Sequence, residues 1–373
     1  MHSDHLAEAA TRWGTPLYLT DLDAATANLA AYQRSFAGAL IAYAVKANSD
    51  PQLLRRLVAD GAGAEVVNEV ELALATRAGC PPERIVMNGV GKTDSDLRAA
   101  LAAGILVNAE SLDELETLLA LGAQRIGLRI NPGLDAQTHP HLATGSADAK
   151  FGIAWADLPQ ARRRAGDALE SIGAHIGSNV ESVEPFEELA KLLATADAKR
   201  ADIGGGVASM ALVPAVAKAI RKHVAAELIC EPGRAIVADA GWLLTRVTRT
   251  QREYLVADAG MTELIRPILY GADHPVRLVA PGAVADGVRH LAGPICEAGD
   301  ILVRDLGRYL TPDELAVTGE GALLAIGNAG AYGAAMASNY NGRLRPAEAV
   351  LEGAELRLSR RRETLEDLLA RDA

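Results

Sequence analysis

The chain has 373 residues, 49% hydrophobic and 23% charged, so it can bury a large core and is too apolar for disorder to dominate. A formal charge of −11 with no long basic run argues against nucleic acid or an anionic membrane as the main partner, since both need concentrated positive surface. Cys80, Cys230 and Cys296 form no C-x-x-C pair, no apolar run approaches a membrane span, and Met1 to Ala10 is too polar for a signal peptide; a cytoplasmic protein with a small-molecule site and no metal is expected.

In chain order, residues 16–20 read as a strand. An apolar run at 39–45 ends in Lys46. Ser49 and Asp50 then offer cap oxygens, Pro51 suits the first helical turn, Leu53, Leu54, Leu57 and Val58 form one face, and Gly61 supplies a left-handed stop before a strand at 64–67. The same grammar recurs from Thr93 through Leu97 and Leu101 to Gly104 and a strand at 104–107. Ser111 and Glu114 then form a capping box. Further runs at 84–87, 125–130, 171–176, 201–203 and 226–230 complete eight apolar segments separated mostly by helical patterns. That predicts an α/β fold, a parallel (β/α)8 TIM-type barrel over 16–235, with a doubly wound sheet as the runner-up.

The barrel is favoured by its polar residues. Lys46, Asn68, Asn88, Asn108, Arg129, His175, Gly204 to Gly206 and Glu231 all fall at or just beyond strand ends, which in a barrel share one mouth. A fifth connection, 131–169, is long enough for a loop over that mouth as well as a helix. After about residue 235 the pattern becomes β-rich, with runs at 235–247, 252–256, 276–279, 300–303 and 322–326. A second, mainly antiparallel β domain is expected over 236–373, with residues 1–15 packed on it; the 16–20 strand could also join it, and the tail from 356 mixes a strand pattern with a short charged helix.

Lysine is scarce, seven against thirty arginines, so an ammonium closing an apolar strand invites a chemical reading. Lys46 is either a Schiff-base nucleophile of depressed pKa or a strand-end lysine reaching solvent. Gly204-Gly205-Gly206 and Glu231-Pro232-Gly233-Arg234 follow strands seven and eight, where barrels commonly seat phosphate on bare backbone. Glu231 beside a ring nitrogen would keep a pyridinium protonated, the partner that a pyridoxal phosphate site needs near its lysine; otherwise it is an exposed turn residue. His175 could stack on that ring or serve as a structural histidine. Cys296, beside Glu297 and Asp300, reads by itself as a buried thiol. The glycine-rich run 327–333 lies outside any βαβ unit, so a nicotinamide reading fails on context.

Together these residues resemble the fold-type III pyridoxal-phosphate-dependent decarboxylases, most closely the diaminopimelate decarboxylases, along nearly the whole chain. The matching segments are Tyr43 to Asn48, Asn131-Pro132-Gly133, Thr138-His139-Pro140, Thr144-Gly145, Lys150-Phe151-Gly152, His175 to Ser178, Gly204 to Gly206 and Glu231 to Arg234. Beyond the barrel come Asp258 to Met261, Arg266-Pro267, Leu269 to Gly271, Cys296 to Asp300, Gly330 to Tyr332, Tyr340-Asn341 and Arg345-Pro346.

The resemblance implies an alanine racemase-like pairing of barrel and β domain and pyridoxal 5'-phosphate held on Lys46. His175 would stack on the ring and Glu231 meet its nitrogen. Ser178, Gly204 to Gly206, Gly233, Arg234 and Tyr332 would lie around the phosphate. It also implies a head-to-tail homodimer in which Cys296 and Glu297 complete the partner's site, Cys296 as proton donor and Glu297 toward the substrate's distal ammonium. Arg266 and Tyr270, with Arg234, would recognise a second carboxylate, which favours meso-diaminopimelate, decarboxylated to L-lysine, over ornithine, lysine, arginine or a carrier-tethered amino acid. Departures from the family pattern stand at Glu65, Asn68 to Val70, Asn179 and Val207. A racemase would call for an arginine at the ring nitrogen in place of Glu231, and a non-catalytic pyridoxal-phosphate-binding protein would need only one barrel.

Overall fold

The structure, a computed structural model, describes residues 1–134, 145 and 149–372. By internal contact the chain falls into two units, Thr26–Ile236 and the pair of segments Met1–Ala25 and Val237–Ala373. The helix α1 (Ser3–Trp13) and strand β1 (Leu17–Asp21) open the chain, followed by α2 (Leu22–Ser35).

The first unit is a closed parallel barrel. Its strands are β2 (Leu40–Ala44), β3 (Gly63–Val66), β4 (Ile85–Met87), β5 (Leu106–Ala109), β6 (Ile126–Asn131), then, after the two-residue β7 (Ile153–Ala154), β8 (Leu169–Gly173), β9 (Arg200–Asp202) and β10 (Glu227–Cys230). Each pairs with the next around the ring, β5 with β6, β6 with β8, and β10 back onto β2, while β7 adds to β6 alone. All eight expected runs are therefore barrel strands. The helices between them are α3 (Pro51–Ala59), α4 (Glu69–Arg77), α5 (Asp94–Ala103), α6 (Leu112–Ala120), α7 (Leu158–Ala165), α8 (Glu184–Ala194) and α9 (Val213–Arg221).

The capping grammar is visible. Asp50 accepts from the backbone N–H groups of Gln52 and Leu53 at the start of α3, and Leu53, Leu54 and Leu57 are its buried face. Thr93 and Asp96 close a capping box on α5, which ends on Gly104 in the left-handed region. Two expectations are corrected. Gly104 is the helix stop and not strand, so β5 starts at Leu106 and carries Asn108 inside it. Ser111 does cap α6, but the Glu114 carboxylate accepts from the Glu110 N–H, not from that of Ser111, and the box stays open.

The second unit is a nine-stranded, mainly antiparallel sheet. After the short α10 (Arg234–Val237) come β11 (Gly241–Gln251), β12 (Tyr254–Ala257), α11 (Arg266–Tyr270), β13 (Val276–Ala280), β14 (His290–Ala292), β15 (Ile301–Val303), α12 (Pro312–Leu315), β16 (Leu323–Ile326), β17 (Ala347–Glu352), β18 (Glu355–Arg360) and α13 (Leu365–Leu369). The run expected at 235–247 is thus half turn and helix, strand only from Gly241. β1 lies within this sheet, antiparallel to β11 and parallel to β17, so residues 16–25 group with the second unit, where a limit at 16 had placed them with the barrel. Strand alternation gives this sheet two cores. Leu17, Leu19, Leu244, Leu323 and Ala325 pack with Leu6, Ala9 and Ala10 of α1, while Tyr18, Leu243, Leu324 and Ile326 pack on the opposite face with Leu255 and Leu291.

Candidate active site

At the C-terminal end of the barrel strands the interior turns polar. Lys46 follows β2 in a 3-10 turn, Val45–Ala47, and its Nζ donates to both carboxylate oxygens of the fully buried Glu65 at 2.8 and 2.7 Å. From β4's end, Asn88 Nδ2 donates to Glu65 Oε1 at 3.2 Å and to Glu231 Oε1 at 2.6 Å. Asn108 on β5 donates to Asn88 Oδ1 at 2.8 Å and toward Asp202 Oδ2 at 3.3 Å. A ladder of amides thus links the lysine's partner to Glu231, across strands that are remote in sequence.

Burial first, and then Asp202 and Glu65, pushes the Glu231 carboxyl well above the usual carboxylate range; Lys46 and the Asn88 amide pull the other way. Burial also raises Asp202, against hydrogen bonds from Gly204, Glu231 and Asn108. On α4, Glu71 is pushed up to about 7 by burial and by Glu65, opposed by the Val67 N–H and Lys46.

His175 lies just past β8. Burial, Arg129 and Lys46 hold its pKa well below the ordinary value, and Gly205 N–H donates to its Nδ1 at 3.0 Å, so the ring is neutral with its proton on Nε2. Arg129 Nη1 is 2.8 Å from Glu110 Oε1, which also accepts from Gly89 N–H at 2.9 Å.

The glycine strip beside His175 tolerates no side chain. A Cβ on Gly204 would fall 2.6 Å from His175 Nδ1, one on Gly205 2.3 Å from the Glu231 carbonyl oxygen, and one on Gly206 2.0 Å from that of Gly177. Gly206 O accepts from Val180 N–H at 2.9 Å and Val180 O from Ala208 N–H at 3.1 Å, which pins the strip at Val207, one of the departures from the family pattern. Ser178 is half-buried next to it, and Asn179 takes a positive φ of 60°. Buried Gly233 has Ala47 and Ala44 against it, and Arg234 opens α10. At the departures, Asn68 caps α4 by accepting from Glu71 N–H, and Val70 is exposed.

The other expected site residues belong to the β unit. Arg266 is buried, with its guanidinium 5.4 Å from the Tyr270 ring centre and 5.7 Å from that of Tyr332. Cys296 is exposed, not buried as its residue type alone would suggest, and its N–H donates to Asn341 Oδ1 at 3.0 Å; Glu297 is exposed beside it. Asp300 explains why two separate segments carry the resemblance together: it accepts from Met261 N–H at 2.6 Å and Ile295 N–H at 2.8 Å, so it ties the 258–261 and 296–300 segments to each other.

Sequence reasoning missed Asp202, Glu110 and Glu71, and noticed Asn88 and Asn108 only as polar strand ends. Thr138, His139, Pro140 and Thr144 lie outside the described residues, while Gly145 is buried against the Ile176 backbone. Among the described residues no group of histidine, cysteine and carboxylate side chains could hold a metal, and no helix is long and apolar enough to cross a membrane.

This geometry has relatives. The family described as pyridoxal-dependent decarboxylase, pyridoxal binding domain, matches residues 22–238. The diaminopimelate decarboxylase of Deinococcus radiodurans is 42% identical over 381 residues, covering 98% of this chain and 97% of its own length. That of Pseudomonas aeruginosa is 40% identical over 399 residues, covering 98% and 94%. The crystal structure of diaminopimelate decarboxylase from Helicobacter pylori complexed with L-lysine is similar at a TM-score of 0.90 and 34% identity, with 98% of each chain covered.

Proposed function

The chain belongs to the pyridoxal-dependent decarboxylases, and from that premise we propose that it removes CO2 from the D-centre of meso-diaminopimelate to give L-lysine, the activity in its relatives' names. The observation that carries the chemistry is the buried Glu231 carboxyl, linked through Asn88 to Glu65 and so to Lys46.

These residues fit pyridoxal 5'-phosphate. Lys46 offers a primary amine to hold it covalently, the glycine strip is a surface that any Cβ would fill, and neutral His175 offers a flat ring beside that strip. Glu231 would face the ring nitrogen, with Ser178, Gly204 to Gly206, Gly233, Arg234 and Tyr332 around the phosphate. When bound, the cofactor supplies an electron sink for the carbanion left by departing CO2. Glu65 holds and orients the Lys46 amine through both carboxylate oxygens, and burial around Glu231 keeps water from competing for its hydrogen bonds.

Arg266 and Tyr270, with Arg234, would take the substrate's distal carboxylate, since a guanidinium fork matches a carboxylate bidentately. Glu297 would meet the distal ammonium. Cys296, exposed on its segment, would return a proton to the carbon that lost CO2; we read it and Glu297 as completing the site of the partner subunit in a homodimer working in the cytoplasm. The test is CO2 release by the cofactor-loaded enzyme from a panel of meso-diaminopimelate, lysine, ornithine, arginine and glutamate. Release from meso-diaminopimelate with L-lysine formed is expected. Reaction with another amino acid alone would overturn the arginine-fork argument and leave the reaction class.

A further inference from the structure

One buried amide serves two acids. Asn88 Nδ2 donates to Glu65 Oε1 at 3.2 Å and to Glu231 Oε1 at 2.6 Å, while its Oδ1 accepts from Asn108 Nδ2 at 2.8 Å. In the ring, β3 and β2 stand between β4 and β10, so in meeting Glu231 this side chain reaches past two strands across the end of the barrel. Its backbone is held from both sides. Asn88 N–H donates to Val66 O at 2.9 Å, and the next N–H, from Gly89, donates to Glu110 Oε1 at 2.9 Å.

The amide fits one way round. Turned over, it would set its carbonyl oxygen against two carboxylates and its NH2 group against that of Asn108, and three hydrogen bonds would be lost. Asn108 is fixed in turn, because its Nδ2 also lies 3.3 Å from Asp202 Oδ2 and its Oδ1 accepts from Ser171 Oγ at 3.5 Å. Gly127 of β6 makes the room, since a Cβ there would fall 1.7 Å from Asn108 Oδ1. An aliphatic side chain at 88 would fill the space without a polar group to satisfy. Asparagine is instead the shortest neutral side chain with two donors on one atom; aspartate, of the same shape, offers none when ionised and would add a third carboxylate.

We propose that Asn88 is a positioning residue for the reaction, holding the carboxylate beside the Lys46 amine and the carboxylate assigned to the ring nitrogen in one fixed arrangement, each by one N–H of the same amide. Glu65 Oε1 accepts from both Lys46 Nζ and Asn88 Nδ2, so amine and amide meet at a single atom. Each N–H favours the charged form of the carboxylate it meets. The two ends of the cofactor site are thereby oriented together, and a shift of either carboxylate is resisted by the other.

The inference rests on the assignment of Glu231 to the ring nitrogen, and its first test uses neither substrate nor cofactor. Nuclear magnetic resonance of the cofactor-free full chain, with 15N-labelled asparagine, identifies the Asn88 NH2 group as the proton pair missing from Asn88→Leu. Should that variant fail to fold by circular dichroism, Asn88→Ser, which also lacks the pair, makes the assignment. Both protons are expected to exchange slowly with D2O, with Glu65→Gln moving one of them and Glu231→Gln the other. Fast exchange, or both variants moving the same proton alone, overturns the proposal. In the loaded enzyme, Asn88→Leu and Asn88→Asp should lower kcat about tenfold or more with KM changed less than about twofold. Lower stability with kcat unchanged would make Asn88 a structural residue and overturn the positioning role. A pair divided between the two glutamates, with no CO2 released from any amino acid by the loaded wild type, would overturn the proposed reaction and leave Asn88 as the link between the carboxylates.

Discussion

Lys46 Nζ is held by both carboxylate oxygens of Glu65, a side chain that is itself fully buried. Removing the amine leaves an unpaired charge in the barrel, whereas removing both partners does not. In the cofactor-free protein, Lys46→Ala is expected to lose about 1–3 kcal/mol of stability, and Lys46→Ala with Glu65→Ala to recover part of it. Urea unfolding of the two single variants and the double variant measures the coupling. Loaded with pyridoxal phosphate, Lys46→Ala should lack the bound cofactor's absorbance band and all CO2 release.

Gly205 separates the cofactor reading from a simple turn. Alanine there would place Cβ 2.3 Å from a backbone carbonyl oxygen that cannot swing away. Overpacking of this kind costs about 1–3 kcal/mol, and here the displaced backbone is the strip on which the phosphate would sit. Gly205→Ala should weaken cofactor affinity at least tenfold by fluorescence titration. Gly104→Ala serves as the control: nothing lies within 4 Å of its Cβ position, so it should lose only the stability of its left-handed helix stop and bind the cofactor as wild type does.

The barrel was legible because parallel strands buried on both faces read as short apolar runs between capped helices. The ladder was less so. Whether Asn108 or Asp202 turns inward depends on barrel closure and on the missing side chains of Gly127 and Gly173, which no local pattern reports. The pairing of Tyr18 with Leu243 and Glu348 likewise joins segments more than a hundred residues apart. Helix α1 escaped because its buried face is only Leu6, Ala9 and Ala10, too small for a convincing periodic stripe. β14 escaped because it is only three residues long, and β17 because Glu348 and Glu352 leave just three consecutive apolar residues between them.

Arg266 is buried with two aromatic rings near its guanidinium, an arrangement that fixes the fork's plane. If it takes the distal carboxylate, Arg266→Leu should lower kcat/KM for meso-diaminopimelate about 10²-fold or more, since losing a charge-assisted pair is worth roughly 3 kcal/mol. The loss should fall mainly on KM, with the cofactor spectrum unchanged. An equal loss of cofactor affinity would make Arg266 a structural residue.

Cys296 is exposed, and its backbone is anchored by Asn341. As the donor that returns a proton to the substrate carbon, it should matter for kcat and for the identity of the product. General acid catalysis contributes about 10²–10⁴-fold, so Cys296→Ala should slow turnover by about 10² or more while leaving pyridoxal phosphate affinity intact. Steady-state CO2 release together with product analysis checks this, and an unchanged rate and product would remove the thiol from the reaction.

Glu71 offers a pH signature independent of catalysis. Its carboxyl is pushed from 4.5 up to about 7, first by burial and then by Glu65. Between those values the folded protein holds a proton that the unfolded chain has already released. The resulting stabilisation is therefore complete below pH 4.5 and is lost as pH rises through about 7. At about 1.4 kcal/mol per unit, reduced for the group's partial exposure, the loss is roughly 2–3 kcal/mol. Glu71→Gln keeps an oxygen to accept from Val67 N–H and has no charge to desolvate. Relative to the wild type, the cofactor-free variant should gain that amount between pH 4.5 and 8. Asp202 and Glu231 pull both proteins in the same direction, so the difference between the two stability curves isolates Glu71, and parallel curves would show that its carboxyl titrates normally.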